Sequence, residues 1–166
     1  QIESAGTIIL SRTQKLSQEK LEAAVALLRE KNAGAAILTT PWDQLDGKTI
    51  LSAMEKVSLA DELLAKMRAE HEAEEAEHHH GHEGRETPKT FTKAGIERIL
   101  SELDSGEYGK ILRAKGIIGG EGGAWIEFDY VPEEYEVREG HPDYTGRLCV
   151  IGAELSEEKL AELLGL

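Results

Sequence analysis

Ile111-Leu112-Arg113-Ala114-Lys115-Gly116-Ile117-Ile118, then Gly119-Gly120-Glu121-Gly122-Gly123, then Ala124-Trp125-Ile126-Glu127-Phe128-Asp129-Tyr130-Val131 is the stretch on which the fold turns. In its last part Trp125, Glu127 and Asp129 alternate with Ile126, Phe128 and Tyr130, the period-two pattern of a strand with one face in a core. The glycines between the two runs are hairpin chemistry. They lead into a strand and not a helix, so they offer no helix N-terminus to a phosphate. Two further strands are predicted at Tyr135 to Glu139 and Gly146 to Ile151, with Pro132-Glu133-Glu134 as a turn. The four strands read as an antiparallel meander.

Helices flank this run on both sides. Thr92 is placed to cap one, with Phe91 and Ile96 as a hydrophobic staple and Ile96, Ile99, Leu100 and Leu103 as its buried stripe. Ser156 opens a last helix, stapled by Leu155 and Leu160, with Leu163 and Leu164 on its core side. Residues 90–166 therefore read as an α+β unit: an antiparallel meander sheet with flanking helices.

The first 57 residues have a different pattern. Thr7 to Leu10 is a short apolar run ending in polar Ser11-Arg12-Thr13-Gln14. A helix follows, capped at Ser17, stapled by Leu16 and Leu21, and striped by Leu21, Ala24, Val25 and Leu28. Asn32 and Gly34 end it, and Ala35 to Leu38 is a second apolar strand. Strand, helix and strand in this order predict a parallel βαβ unit with a right-handed crossover. Beyond Thr39-Thr40-Pro41-Trp42, Asp46 is placed to cap a helix whose expected face is Ile50, Leu51, Met54 and Val57. Gly47-Lys48-Thr49 resembles the end of a phosphate-binding loop, but Trp42 stands where that loop needs its first glycine, so a helix start is the better reading.

Residues 58–89 link the two units. Their apolar stripe fades by Arg68, and Gly81 and Gly84 favour loss of regular structure, so a helical to flexible linker is expected. Within it, His71, His78, His79, His80 and His82 stand among glutamates. If the segment is extended, His78, His80 and His82 lie on one side; if helical, His71 and Glu75, Glu74 and His78, and His78 and His82 pair at i and i+4. Either geometry suits zinc or another divalent transition metal. A solvated acidic linker is the competing reading.

Composition narrows the partners. The formal charge of −13 arises beyond residue 57, which argues against nucleic acid or an anionic membrane surface and favours cations or a basic protein patch. Cys149 is the only cysteine and lies in an apolar run, where a buried small hydrophobe is expected; internal disulfides are ruled out and a cytoplasmic setting is the expectation. No apolar run is long enough to span a bilayer. His141, between Gly140 and Pro142, reads as a turn residue, and no nucleophile–base set is indicated, so catalysis by this chain alone is not expected. The chain opens at Gln1 directly in a strand-like pattern, as a fragment of a longer protein would.

Arg113-Ala114-Lys115-Gly116-Ile117-Ile118, Trp125 on the next strand, and Gly146-Arg147-Leu148-Cys149-Val150-Ile151-Gly152 before a terminal helix resemble the C-terminal domain of the CobW family of P-loop GTPases, with Phe91-Thr92 near its start. The region between core and C-terminal domain in that family is often histidine-rich, as here. Ala5 to Gln14 is similar to the family's strand and guanine-reading NKxD motif, and Asn32 to Ile37 resembles the next strand. The pattern is degenerate: Ser11 stands for asparagine, Arg12 for lysine and Gln14 for aspartate, around Thr13. An ionised aspartate accepts from two guanine N–H groups, whereas a glutamine amide offers one neutral acceptor and a nearby donor.

The resemblance implies the remnant of a GTPase core over 1–57 and the C-terminal region of a GTP-dependent metallochaperone. Family roles in cobalamin synthesis, nitrile hydratase maturation and zinc supply imply zinc, cobalt or iron as cargo. GTP and magnesium would belong to the full-length parent, and the partners implied are a client metalloprotein and the N-terminal GTPase core. Apart from the resemblance, two short parallel strands need both faces covered, so the first unit is expected to be the less stable one unless it associates with a second copy of the chain or docks on the second unit. The alternative is a non-catalytic interaction domain whose histidines buffer metal or are merely solvated.

Overall fold

The apolar runs at Thr7 and Ala36 pair as the βαβ reading requires. The structure, a computed structural model, describes residues 1–55 and 81–166. β1 (Thr7–Ile9) lies parallel to β2 (Ala36–Leu38), with Thr7 opposite Ala36 and Ile9 opposite Leu38. α1 (Gln18–Lys31) crosses between them, with Val25 fully inside and Leu21, Ala24 and Leu28 half-buried. It ends at Asn32, whose side-chain amide donates to the carbonyls of Ile2 and Ala5 at 2.8 and 2.9 Å and so fastens the N-terminal segment to the unit.

α2 (Gly47–Glu55) begins at the expected cap, the Thr49 N–H donating to Asp46 Oδ1 at 2.7 Å. Its buried face differs from the expected one. Ala53 is fully enclosed and Ile50 packs beside it, while Leu51 and Met54 are 51% and 60% exposed. Val57 lies outside the described residues. The cause is close packing: Ala53 meets Ala36, Leu38 and Tyr144, and a small residue lets the helix approach β2 where Leu51 or Met54 would hold it off.

The second unit is built on β3 (Gly81–Thr87), β4 (Thr90–Phe91), α3 (Lys93–Glu102), β5 (Lys110–Gly120), β6 (Trp125–Val131), β7 (Glu134–Glu139), β8 (Gly146–Ala153) and α4 (Glu157–Leu164). The sheet order is β3-β8-β5-β6-β7, antiparallel at each step, with β4 pairing parallel to the end of β5. β5, β6 and β7 form the meander; β8 then returns to lie beside β5, which gives the last four strands Greek-key order.

β3 corrects the reading of Gly81 and Gly84 as breakers. Seven residues without an apolar stripe pair in register with β8, from Gly81 opposite Gly152 to Thr87 opposite Gly146. The ladder of backbone hydrogen bonds to β8 overrides local propensity, as it commonly does at a sheet edge.

α3 and α4 cover one face of the sheet. Ile96 and Leu100 of α3 and Leu160 and Leu164 of α4 share a core with Ile118, Phe128, Tyr130, Leu148 and Val150. The Thr92 hydroxyl caps α3 by accepting from Gly95 N–H at 2.9 Å. Gly116 is dictated by this packing, because a Cβ there would run into the ring of Phe128 on the neighbouring strand. The opposite face carries crossed ion pairs: Arg138 to Glu127 and Asp129 at 2.7 and 2.8 Å, and Lys115 to the same two carboxylates at 3.9 and 3.7 Å. Cys149 is buried, as expected.

Candidate functional site

The turns that leave β1 and β2 converge on the second unit. After β1, Arg12 adopts a left-handed backbone (φ 62°) and starts a tight turn over Thr13–Lys15. Ser11, Arg12 and Gln14 are exposed. Thr13 points the other way: it is 5% exposed, and its Oγ1 has no hydrogen-bond partner among the described residues. Thr13, Thr39, Thr40 and Pro41 line one side of a cleft of about 350 Å³, and Thr87 to Thr90 and the Gly119–Gly123 hairpin line the other. Of the four residues expected to read a base, the structure thus brings one into the cleft and leaves three on the surface.

Beside the cleft the two units are joined by a finger between β7 and β8. The N–H groups of Thr39 and Thr40 both donate to the Tyr144 carbonyl, at 2.9 and 3.2 Å. The hydroxyls of Thr39 and Thr145 share a hydrogen bond of 2.8 Å, and that of Thr40 donates to the Asp143 carbonyl. The Tyr144 ring completes the core of the first unit with Ala36, Leu38 and Ala53. Its hydroxyl donates to one oxygen of Glu86 on β3, and the other oxygen pairs with Arg29 of α1. Burial first, and then the bond to Glu86, push the Tyr144 pKa well above the ordinary phenol value, so the hydroxyl stays a donor through the physiological range.

Arg147 holds the finger from below. It pairs with the Asp143 carboxylate at 2.6 Å and lies 5.0 Å from the centroid of the Tyr144 ring, a cation–π geometry. Gln18 adds a bond from α1 to the Pro88 carbonyl at 2.6 Å. The sequence does not single out the residues that make this junction. Its bonding side chains are polar or charged, apart from the Tyr144 ring, and its residues come from four segments: α1, Thr39-Thr40, Glu86 to Pro88, and Asp143 to Arg147.

The expected metal ligands His71, His78, His79 and His80 lie outside the described residues, and His82 is placed by its backbone, opposite Ile151 on β8. Among the described residues no group of three or more His, Cys, Asp or Glu side chains is positioned to hold a metal ion, and no helix is long and apolar enough to cross a membrane. His141 is exposed ahead of Pro142.

A helix-backed antiparallel sheet docked on a βαβ unit by a tyrosine finger defines a two-part α+β protein. Residues 85–165 match the family described as the cobalamin synthesis protein cobW C-terminal domain. The match begins within β3 and makes residues 85–165 a domain of that kind. Solved structures similar to the chain include two of a GTPase. One is the zinc(II)-bound YjiA GTPase from E. coli, at 17% identity and a TM-score of 0.46, the match covering 99% of this chain and 52% of that one. The other is a zinc(II)-bound triple mutant of YjiA GTPase, at 16% identity with the same TM-score and coverage. The chain thus spans about half the length of these structures. No curated protein matches it.

Proposed function

We propose that this chain is the C-terminal region of a CobW-like protein that couples GTP binding and hydrolysis to delivery of a metal or metal cofactor to a client metalloprotein. The observation that carries the reading is the match of residues 85–165 to the CobW C-terminal domain in a chain that also holds His71, His78, His79, His80 and His82 among glutamates. In this scheme the histidine segment holds or hands over the ion, zinc fitting an imidazole and carboxylate donor set well. The sheet unit contacts the client or the nucleotide core. Hydrolysis belongs to the part of such a protein that carries the phosphate loop and magnesium ligands.

Zinc binding is the test. Titration against a chromophoric chelator at about pH 7.5 should show binding, and replacing His78, His80 and His82 by alanine should abolish it while the flanking units melt nearly as before. Imidazole ligates only when neutral, so affinity should fall as pH drops through ~6.5. A triple variant with wild-type stoichiometry and affinity would make the segment a solvated linker and the chain an interaction domain.

A further inference from the structure

β7 ends the sheet. It pairs with β6 without a register shift, from Val131 opposite Glu134 to Ile126 opposite Glu139, and among the described residues no strand lies on its other edge. Natural edge strands are commonly guarded by charged side chains, lysine above all, or by proline or a bulge. The sequence Glu134-Tyr135-Glu136-Val137-Arg138-Glu139 has no lysine, proline or bulge, and its outward charges are carboxylates, which turn away an acidic strand and not a basic one.

The two faces of the strand differ in character. Tyr135 and Val137 stand opposite Tyr130 and Phe128 of the core, and the Tyr135 hydroxyl accepts from Ser101 of α3 at 3.3 Å. Even so, Tyr135 is 40% exposed. On the other face the one cation, Arg138, is drawn inward by Glu127 and Asp129. Glu136, 3.5 Å from Arg138, keeps 72% of its side chain exposed, and Glu134 is exposed too. Among the described residues the edge therefore offers backbone groups that no strand pairs, with carboxylates on one side and a half-covered aromatic on the other.

We propose that β7 accepts an extended segment of a partner protein by strand addition, and that this segment alternates lysine or arginine with apolar residues. Strand addition supplies main-chain hydrogen bonds, and alternate side chains supply selectivity. Cations on one face of the incoming strand meet Glu134 and Glu136 across the pair, and apolar side chains on the other cover Tyr135 and Val137. The same charges disfavour a second copy of this chain on the edge, because two β7 strands side by side would set glutamates against glutamates. The acidic excess of residues 91–166 steers a basic segment to this unit.

A ten-residue peptide alternating lysine and valine is the probe, with an alternating glutamate–valine peptide and a lysine–valine peptide N-methylated at every second amide as controls. The lysine peptide should bind, slow amide exchange at residues 134–139, and weaken with added salt. The controls should not bind. The double variant Glu134→Lys, Glu136→Lys should weaken the lysine peptide by about tenfold, since two opposite-charge pairs become like-charge pairs, and should admit the glutamate peptide. Because both positions are exposed, the variant is expected to keep its fold, which its own amide exchange will verify. The proposal is overturned if the N-methylated peptide binds as well as its parent, if protection falls elsewhere than β7, if no binding is seen at millimolar peptide, or if the free chain already dimerises through β7.

Discussion

Thr13 is the residue at which two roles part. Its position belongs to a base-reading turn by resemblance, yet the side chain is buried in the junction with an unsatisfied hydroxyl among the described residues. A buried hydroxyl without a partner costs about 1–3 kcal/mol. Thr13→Val keeps the shape and removes that cost, so it should raise stability by about 1 kcal/mol, measured as a shift in denaturation midpoint with unchanged slope. A fall in stability would reveal a bonded hydroxyl. Gln14 and Ser11 were legible as departures from a motif because identity alone marks them; the burial of Thr13 was not, because it is set by the tertiary fold and not by its neighbours in sequence.

At the scale of elements, caps were easy to read and helix phase was harder. Asp46 was identified from its place before Gly47-Lys48-Thr49, and the bond from the Thr49 N–H, first among its causes, lowers the Asp46 pKa below the ordinary carboxylate range. A carboxylate with a lowered folded pKa contributes stability above its unfolded value and loses it as pH falls through the folded one. The melting temperature of Asp46→Ala should therefore lie below wild type by a constant amount above about pH 5, and the difference should vanish in strong acid. Phase was misread in α2 because Leu51 and Met54 are the more hydrophobic residues, while the core selected Ala53 for its size. β3 was unreadable for a related reason: its partner, and not its own side chains, makes it a strand. The alternation in β6 was legible because both of its faces are committed, one to the helices and one to the ion pairs.

For the whole molecule the question is whether two short parallel strands can stand alone. Parallel strands need cover on both faces, and the first unit was expected to be the weaker one unless it associated or docked. It docks: Tyr144 fills its core, and Glu86 ties that ring to α1 through Arg29. The two units should therefore melt in a single transition. Removing a buried aromatic costs about 3–5 kcal/mol, so Tyr144→Ala should split the calorimetric trace and make residues 7–38 exchange well before residues 111–151. A single transition in that variant would show that the finger is not the coupling. Tyr144 could not be singled out from sequence, since its neighbour Thr145 meets Thr39 across 106 residues.

Nucleotide binding belongs at this scale too. Phosphate and magnesium contacts supply most of the hold on a nucleotide in this class, and these 166 residues contain no phosphate loop. Calorimetric titration with GTP and magnesium should give no measurable heat of binding; a micromolar dissociation constant would contradict this.

The place of β8 in the sheet has a consequence for how the chain is made. β5, β6 and β7 can zip up as successive hairpins while they emerge from the ribosome, but β3 must wait, because its register partners, Gly152 for Gly81 and Gly146 for Thr87, are translated only after all three. Throughout that interval the nascent chain carries an unmatched strand, the kind of segment that invites pairing with neighbouring chains. Gly-His-Glu-Gly-Arg-Glu-Thr is suited to the delay: with no apolar side chain and three charges, it has little to stick with until its partner arrives.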